Sequence, residues 1–315
     1  MCRYALLIAI FVLTLSTTVS AQPRTPEAAV NHFKNALKKS GSGDLDGAIE
    51  DYTRAIVLSS RIDANRFNGS RSANSFAGDI DASNVTVIDP FTANAYTNRA
   101  LARYQKGDIE GALADLDEAI RIRPALATAY LNRAAVHRAN GDPSAALKDL
   151  DRAVALEKDF FEALSNRGSV RHDLGDAQGA LSDLNRAIQI NDRVAETFYQ
   201  RGYVYLGLKQ FDTAIADFER ALKLAPKMAW AYQGRGTAWM YKGYMQLAIE
   251  NFDQAIAHDP AIAWAYFNRA VSKLYLGQEP QADVDECVKL RPDLKPQLIE
   301  RLELAKHLRR ISRQD

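Results

Sequence analysis

ANAYTNRALARYQKGDIEGALADLDEAIRIRP, residues 93–124, returns with the same residue types when the chain is slid by 34 residues. Tyr130-Leu131-Asn132-Arg133-Ala134 answers Tyr96-Thr97-Asn98-Arg99-Ala100, and Gly141-Asp142 answers Gly107-Asp108. Ala146 and Ala153 answer Ala112 and Ala119, and the match continues through Asn166-Arg167-Gly168, Arg201-Gly202, Arg235-Gly236 and Asn268-Arg269-Ala270. A fixed period of this length marks a solenoid, in which each unit buries its apolar face only against its neighbours. The 315 residues therefore form an array rather than the two globular domains that length alone suggests.

Each unit reads as a helical hairpin. Tyr96, Ala100 and Tyr104 share one face of a first helix, and Ala112, Leu116, Ala119 and Ile120 one face of a second. Gly107 can end the first helix in a left-handed turn, and Asp108 can cap the second. Gly141-Asp142 and Gly175-Asp176 repeat the device, and Pro124, Pro226, Pro260 and Pro292 punctuate the turn into the next unit. Small residues (Ala100, Ala134, Gly168, Gly202, Gly236, Ala270) recur where two helices must approach closely.

Residues 1–21 read as a secretory signal. Arg3 supplies the positive start, Tyr4 to Leu15 is almost wholly apolar, and Val19-Ser20-Ala21 is a small-residue cleavage site before Gln22. An apolar run of about a dozen residues is short of the ~20 that span a bilayer. The expectation is an exported chain, periplasmic or secreted, with a membrane partner only if this segment is kept as an anchor. Residues 22–28 form a linker and 29–294 the array. Its first repeat, near Ala29, has Lys34-Asn35 in place of Asn-Arg, as an atypical terminal cap would. Residues 60–88, rich in Ser, Asn, Gly and Asp, break the period and read as a protruding loop. The seventh repeat is two residues short near Glu279-Pro280. Residues 295–315, with Leu298, Leu302, Ala305 and Leu308 at helical spacing, read as a helix capping the last unit.

Lys and Arg number 40 against 39 Asp and Glu, and removing Arg3 with the signal leaves 39 of each. A near-neutral chain has no global field to attract nucleic acid, so no nucleic-acid partner is expected. Of the two cysteines, Cys2 lies in the signal, and Cys287 stands where a small packing residue is needed, which reads as a buried thiol.

These residues resemble the tetratricopeptide repeat, in period, in the Gly or Ala after the aromatic, in the paired alanines and in the closing Pro. The resemblance covers about residues 29 to 294. It implies an all-α right-handed superhelix of about seven helical hairpins with a capping helix, and a protein partner. The departure is Arg where the family usually has Leu before the small residue: Arg99, Arg133, Arg167, Arg201, Arg235 and Arg269.

Asp115, Asp149, Asp183 and Asp217, with Asn251 in register, give the Arg row an acidic counterpart on the second helices, which points to Arg–Asp bridges inside or between units rather than to ligand contacts. The row Asn98, Asn132, Asn166, Gln200 and Asn268 resembles the asparagine ladder of O-linked N-acetylglucosamine transferase, where amides grip the backbone of an extended peptide by donating and accepting at once. The alternative is that these amides bond neighbouring helix ends and stiffen the array. Gly234 breaks the row. Tyr199, Tyr203, Trp230, Tyr241, Trp264 and Phe267 read as aromatics on the groove side, with Trp230 and Trp264 the expected exposed contacts.

The carboxylate clamp by which some members hold chaperone tails is not expected, because Asn94, Thr128, Glu162 and Glu196 stand where its basic residues belong. Asp79 to Ser83 starts like a calcium loop but lacks the Gly and final Glu. Asn68 and Asn84 fit glycosylation acceptors. The five His show no metal-ligand spacing, and no phosphate loop or nucleophile elbow occurs. The sequence therefore points to a non-catalytic scaffold, with no cofactor or metal, that holds an extended partner segment in a concave groove. The rival reading is a carbohydrate-binding, envelope-assembly or enzyme-accessory protein using the groove aromatics.

Overall fold

A computed structural model describes residues 27–69 and 90–311. The signal, most of the linker, the calcium-like Asp79 segment, Asn84 and the last four residues lie outside them. The described residues are helical, in seven successive pairs and a final helix. The pairs are α1 (Glu27–Ser42) with α2 (Leu45–Gly69), α3 (Pro90–Gln105) with α4 (Ile109–Ile122), α5 (Ala127–Ala139) with α6 (Pro143–Leu156), α7 (Phe161–Asp173) with α8 (Ala177–Ile190), α9 (Ala195–Gly207) with α10 (Phe211–Leu224), α11 (Ala229–Tyr241) with α12 (Met245–His258), and α13 (Ala263–Leu276) with α14 (Gln281–Leu290). The last helix is α15 (Lys295–Ile311). The chain divides into two compact units, one ending at Val170 and one beginning at Arg171.

Within the first unit α1 packs on α2, α3 on α4 and α5 on α6, α2 packs on α3 and α4 on α5, and α6 shares a buried cluster with Ala163 and Val170 of α7. Within the second each helix packs on the next from α8 to α14, and α15 closes on α13. This is the all-α solenoid that the period implies. Its core repeats in step. Ala112, Leu116 and Ala119 are buried, and so are Ala146, Leu150 and Ala153, then Ala180, Leu184 and Ala187, then Ala214, Phe218 and Ala221, then Ala248, Phe252 and Ala255.

Where the central core residue grows from Leu to Phe, the facing small residue shrinks from Ala to Gly. A Cβ on Gly202 would lie 2.9 Å from Phe218, and one on Gly236 2.7 Å from Phe252. Gly168 is an exception that this size match does not explain, being small in a repeat whose central core residue is Leu. Gly234 belongs to the same adjustment, since its Cβ would meet Phe218 Cζ at 2.5 Å. The gap in the amide row is therefore made by the core.

The turns follow one recipe through four repeats and then keep only part of it, Gly243 and Gly277 still taking left-handed backbone. Gly43, Gly107, Gly141 and Gly175 take left-handed backbone, and Asp44, Asp108, Asp142 and Asp176 accept the capping bond from Gly47, Gly111, Ala145 and Gly179 at 2.8–2.9 Å. At the α9–α10 turn the left-handed residue is Lys209 (φ 60), which costs about 1–2 kcal/mol against glycine. Gln210 and Tyr244 stand at the caps of α10 and α12 without a side-chain bond, each forgoing roughly 1 kcal/mol.

Two expectations change at the ends. The segment 60–88 is not a loop from its start, because α2 continues to Gly69. No Gly or Pro interrupts it between Leu58 and Asn68, and the rest of the segment, 70–88, lies outside the described residues. Leu298, Leu302 and Ala305 are buried against Tyr266, Ala270, Leu274 and Cys287. Leu308 is exposed instead, because α13 ends at Leu276 and Arg309 lies over Gly277, leaving no apolar surface there. Cys287 is buried, as expected, and burial pushes its pKa up to about 11, which keeps it as the thiol at neutral pH.

Candidate functional site

The Arg row is engaged inside the fold. Arg133 lies on α5 and forks onto Asp149 of α6, Nε to Oδ2 at 2.8 Å and Nη2 to Oδ1 at 2.6 Å, while Nη1 reaches back to Asp117 of α4 at 2.6 Å. Arg99 does the same with Asp115 and Thr53, Arg201 with Asp217 and Asn185, and Arg269 with Asp283 and Asp253. Arg167 donates to Asp151 at 2.9 Å, and Asp183 accepts from Arg171 at 2.8 Å. Most of these guanidiniums also lie over the ring three residues earlier, Tyr96, Tyr130, Phe198, Tyr232 and Tyr266, at 5.2–5.7 Å. Every donating nitrogen of Arg133 is used, and its bond to Asp149 chiefly holds its pKa above the ordinary value. Each rung joins a hairpin to the one before it.

Repeat one reaches the same end differently. Asn35 cannot supply the charge, so buried Asp51 accepts from His32 Nδ1 at 2.8 Å and pairs with Lys39 at 2.7 Å.

Three of the five amides do not stand on an open furrow as the sequence reading expects. Asn98, Asn132 and Asn268 are buried, and Asn166 and Gln200 are half-buried. Asn268 gives the physical reason. Its Nδ2 donates to Thr237 Oγ1 of α11 at 3.2 Å, so this amide faces the neighbouring first helix rather than solvent. Thr237 also accepts from Gln233 Nε2, and Gln233 Oε1 accepts from the Tyr203 hydroxyl. These bonds tie α9, α11 and α13 into one buried polar network that sequence reasoning missed. Asn132, on α5, is the opposite case: only 1% exposed, it has neither its Oδ1 nor its Nδ2 hydrogen-bonded. The hydroxyl of Thr128, one turn earlier, is also buried without a partner.

The aromatics do not form one row either. Tyr199 and Phe267 are core, Tyr199 against Tyr203 (4.9 Å) and Phe218, and Phe267 against Trp264 (5.0 Å). Trp230 and Trp264 are half-buried against the cores of both neighbouring hairpins rather than exposed, since ring area that large is buried by helices this close. Tyr241 is well exposed, but at the end of α11 beside the hairpin turn, stacked on Phe211. Phe211, Tyr244 and Lys209 at these turns were not singled out by the sequence reading. The signal was present, because Tyr244 occupies the place of the capping Asp108, Asp142 and Asp176.

Among the described residues no group of His, Cys, Asp and Glu could hold a metal ion, and no helix is long and apolar enough to cross a membrane.

Stacked hairpins joined by buried polar bonds define a helical-repeat protein. Family models agree: models described as tetratricopeptide repeat match residues 131–195 and 195–228, and one described as TPR repeat matches 100–141. The chain is a tetratricopeptide-repeat protein. No curated protein matches it. Among solved structures, a tetratricopeptide repeat protein from Parabacteroides merdae ATCC 43184 is similar over 89% of this chain and 99% of its own, at 17% identity and a TM-score of 0.62. The Cut9–Hcn1 hetero-tetramer of the APC/C is similar over 86% and 58%, at 14% identity and a TM-score of 0.61. At these identities the likeness is one of fold. YrrB, described as a TPR protein with an unusual peptide-binding site, is 26% identical over 55% of this chain and 89% of its own, at a TM-score of 0.47. Proteins of this family are in general non-catalytic scaffolds that bind other proteins or peptides.

Proposed function

We propose that the protein is an exported, non-catalytic scaffold that holds an extended protein segment along the first helices of its hairpins, with the amide of Asn132 as a backbone contact. The observation that carries this is the unpaired amide itself. A buried amide without partners costs about 1–3 kcal/mol, and such groups are rare in folded proteins. Asn268 on the same row is tied to Thr237, whereas Asn132 and Thr128 have donors and acceptors left over. An extended backbone, which offers an N–H and a C=O, would satisfy both atoms of Asn132 at once. Reaching it requires α3 and α5 to part slightly, a motion open to repeats that contact only their neighbours. The apolar leader with its Val19-Ser20-Ala21 site supports export.

The test is pull-down from the source organism's own extract with the chain from Gln22 onward, with cross-linked residues mapped by mass spectrometry. Cross-links should fall on α3 and α5. Asn132→Ala should weaken capture by about tenfold, while its cost in stability is that of a small cavity and of no lost hydrogen bond. Capture that is indifferent to Asn132→Ala would refute the reading.

A further inference from the structure

The turns joining α9 to α10 and α11 to α12 depart from the recipe used earlier in the chain. Lys209 replaces the left-handed glycine, and Gln210 and Tyr244 replace the capping aspartate. Leu247 stands where Gly111, Ala145 and Gly179 receive the capping bond. Each departure gives up local stability, and the side chains it installs face outward. Tyr241 is 55% exposed, Tyr244 53% and Leu247 39%. Their counterparts in repeats two and three are Gln105, Asp108 and Gly111, then Ala139, Asp142 and Ala145, so hairpin formation does not require an apolar edge.

The exposed rings are held in place. Tyr241 lies nearly flat on Phe211, with centroids 5.6 Å apart and planes at 19°, which joins the two turns. Tyr244 meets Trp239 edge-on at 5.5 Å. Lys242 sits over Trp239 at 5.1 Å and Tyr244 at 5.5 Å and pairs with Asp212. Lys209 is exposed and makes no ion pair among the described residues, so its charge is left over beside the Lys242–Asp212 pair.

We propose that this edge is a docking surface, separate from the amide row, for a protein segment that carries an apolar side chain next to a carboxylate. The rings and Leu247 would bury the apolar side chain, in the manner of pre-ordered aromatic anchors. The uncompensated charge of Lys209, beside the paired Lys242, selects the carboxylate. A lipid surface would call for a cluster of four or more basic residues, and this edge has two in a nearly neutral chain. A sugar ring needs open aromatic faces, but one face of Tyr241 is covered by Phe211 and Lys242 lies over Tyr244.

The experiment is selection of a random 12-residue peptide display library on the chain from Gln22 onward, followed by fluorescence anisotropy with the enriched peptides. Asp or Glu beside Leu, Ile or Phe should be enriched. The double variant Tyr241→Ser/Tyr244→Ser should lose affinity by about tenfold or more. Lys209→Gly, which relaxes the turn and cannot fail by misfolding, should lose roughly two- to fivefold, and Asn132→Ala should lose nothing. Enrichment without acidic residues, or equal affinity for the double variant, overturns the proposal. Tyrosine-dependent binding of phosphatidylglycerol vesicles or of chito-oligosaccharides, without peptide enrichment, does so too.

Discussion

Arg133→Leu and Arg235→Leu are the same change at equivalent places, and the structure predicts different costs for them. In the first, Asp149 stays buried with two carboxylate oxygens that had been hydrogen-bonded at 2.6 and 2.8 Å, and only His137 remains beside it, at 3.9 Å. Removing one partner of such a buried pair costs about 3–5 kcal/mol, most of it the uncompensated charge. Arg235 instead donates to neutral Asn251 at 2.7 Å, with Glu219 no nearer than 3.7 Å and half-exposed. Losing that bond costs about 0.5–1.5 kcal/mol. The apolar pair Arg133→Leu/Asp149→Leu should recover most of the loss, because replacing both ions together leaves no charge stranded. Urea denaturation followed by circular dichroism reads all three. Equal losses for Arg133→Leu and Arg235→Leu, or a double variant no better than Arg133→Leu alone, would refute the argument that the rungs act through buried charge.

Two further outcomes follow from the same geometry. Gly234→Ala should destabilise by about 1–2 kcal/mol despite alanine's better helix propensity, because its Cβ would press on Phe218 at 2.5 Å. Combining it with Phe218→Leu should return part of that loss, as seen by thermal denaturation. Burial works to raise the carboxyl of Asp51, but hydrogen bonds from Lys39 and His32 outweigh it and hold the group below its ordinary value. A depressed folded pKa means stability that is present above the unfolded value of about 3.9 and lost as pH falls through the folded value. Asp51→Asn should therefore flatten the acid limb of the stability curve below about pH 4, and an unchanged limb would show that the pair contributes nothing.

The solenoid was legible because its evidence is repeated: paired alanines, Gly-Asp turns and closing prolines say the same thing in unit after unit. The Arg–Asp rungs were legible for the same reason, although the backward reach to Asp117, Asp151 and Asp253 was not, because it joins hairpins whose spacing the sequence leaves unstated. The amide row misled because a period of 34 fixes which residues are equivalent but not the angle at which the first helices face one another. A small rotation decides whether Asn268 meets water or Thr237. Trp230 and Trp264 are half-buried for the same reason: their places one period apart at helix starts do not show what lies beside them.

Departures from the repeat separate by whether something nearby compensates them. Gly234 and Gly202 are matched by Phe218, so that pair of changes conserves core volume. Asn251 replaces the buried aspartate where Trp239 replaces the second cation that other repeats bring to it, Arg103 at 3.0 Å, Arg171 at 2.8 Å and Lys273 at 2.9 Å. A negative and a positive charge leave together, and the balance holds. Lys209 in left-handed backbone, Tyr244 at an unmade cap and the unpaired amide of Asn132 have no such counterpart in the fold. Local rules broken without internal compensation often mark functional places in natural proteins, and for that reason we propose binding at these residues rather than at the Arg row or the buried aromatics.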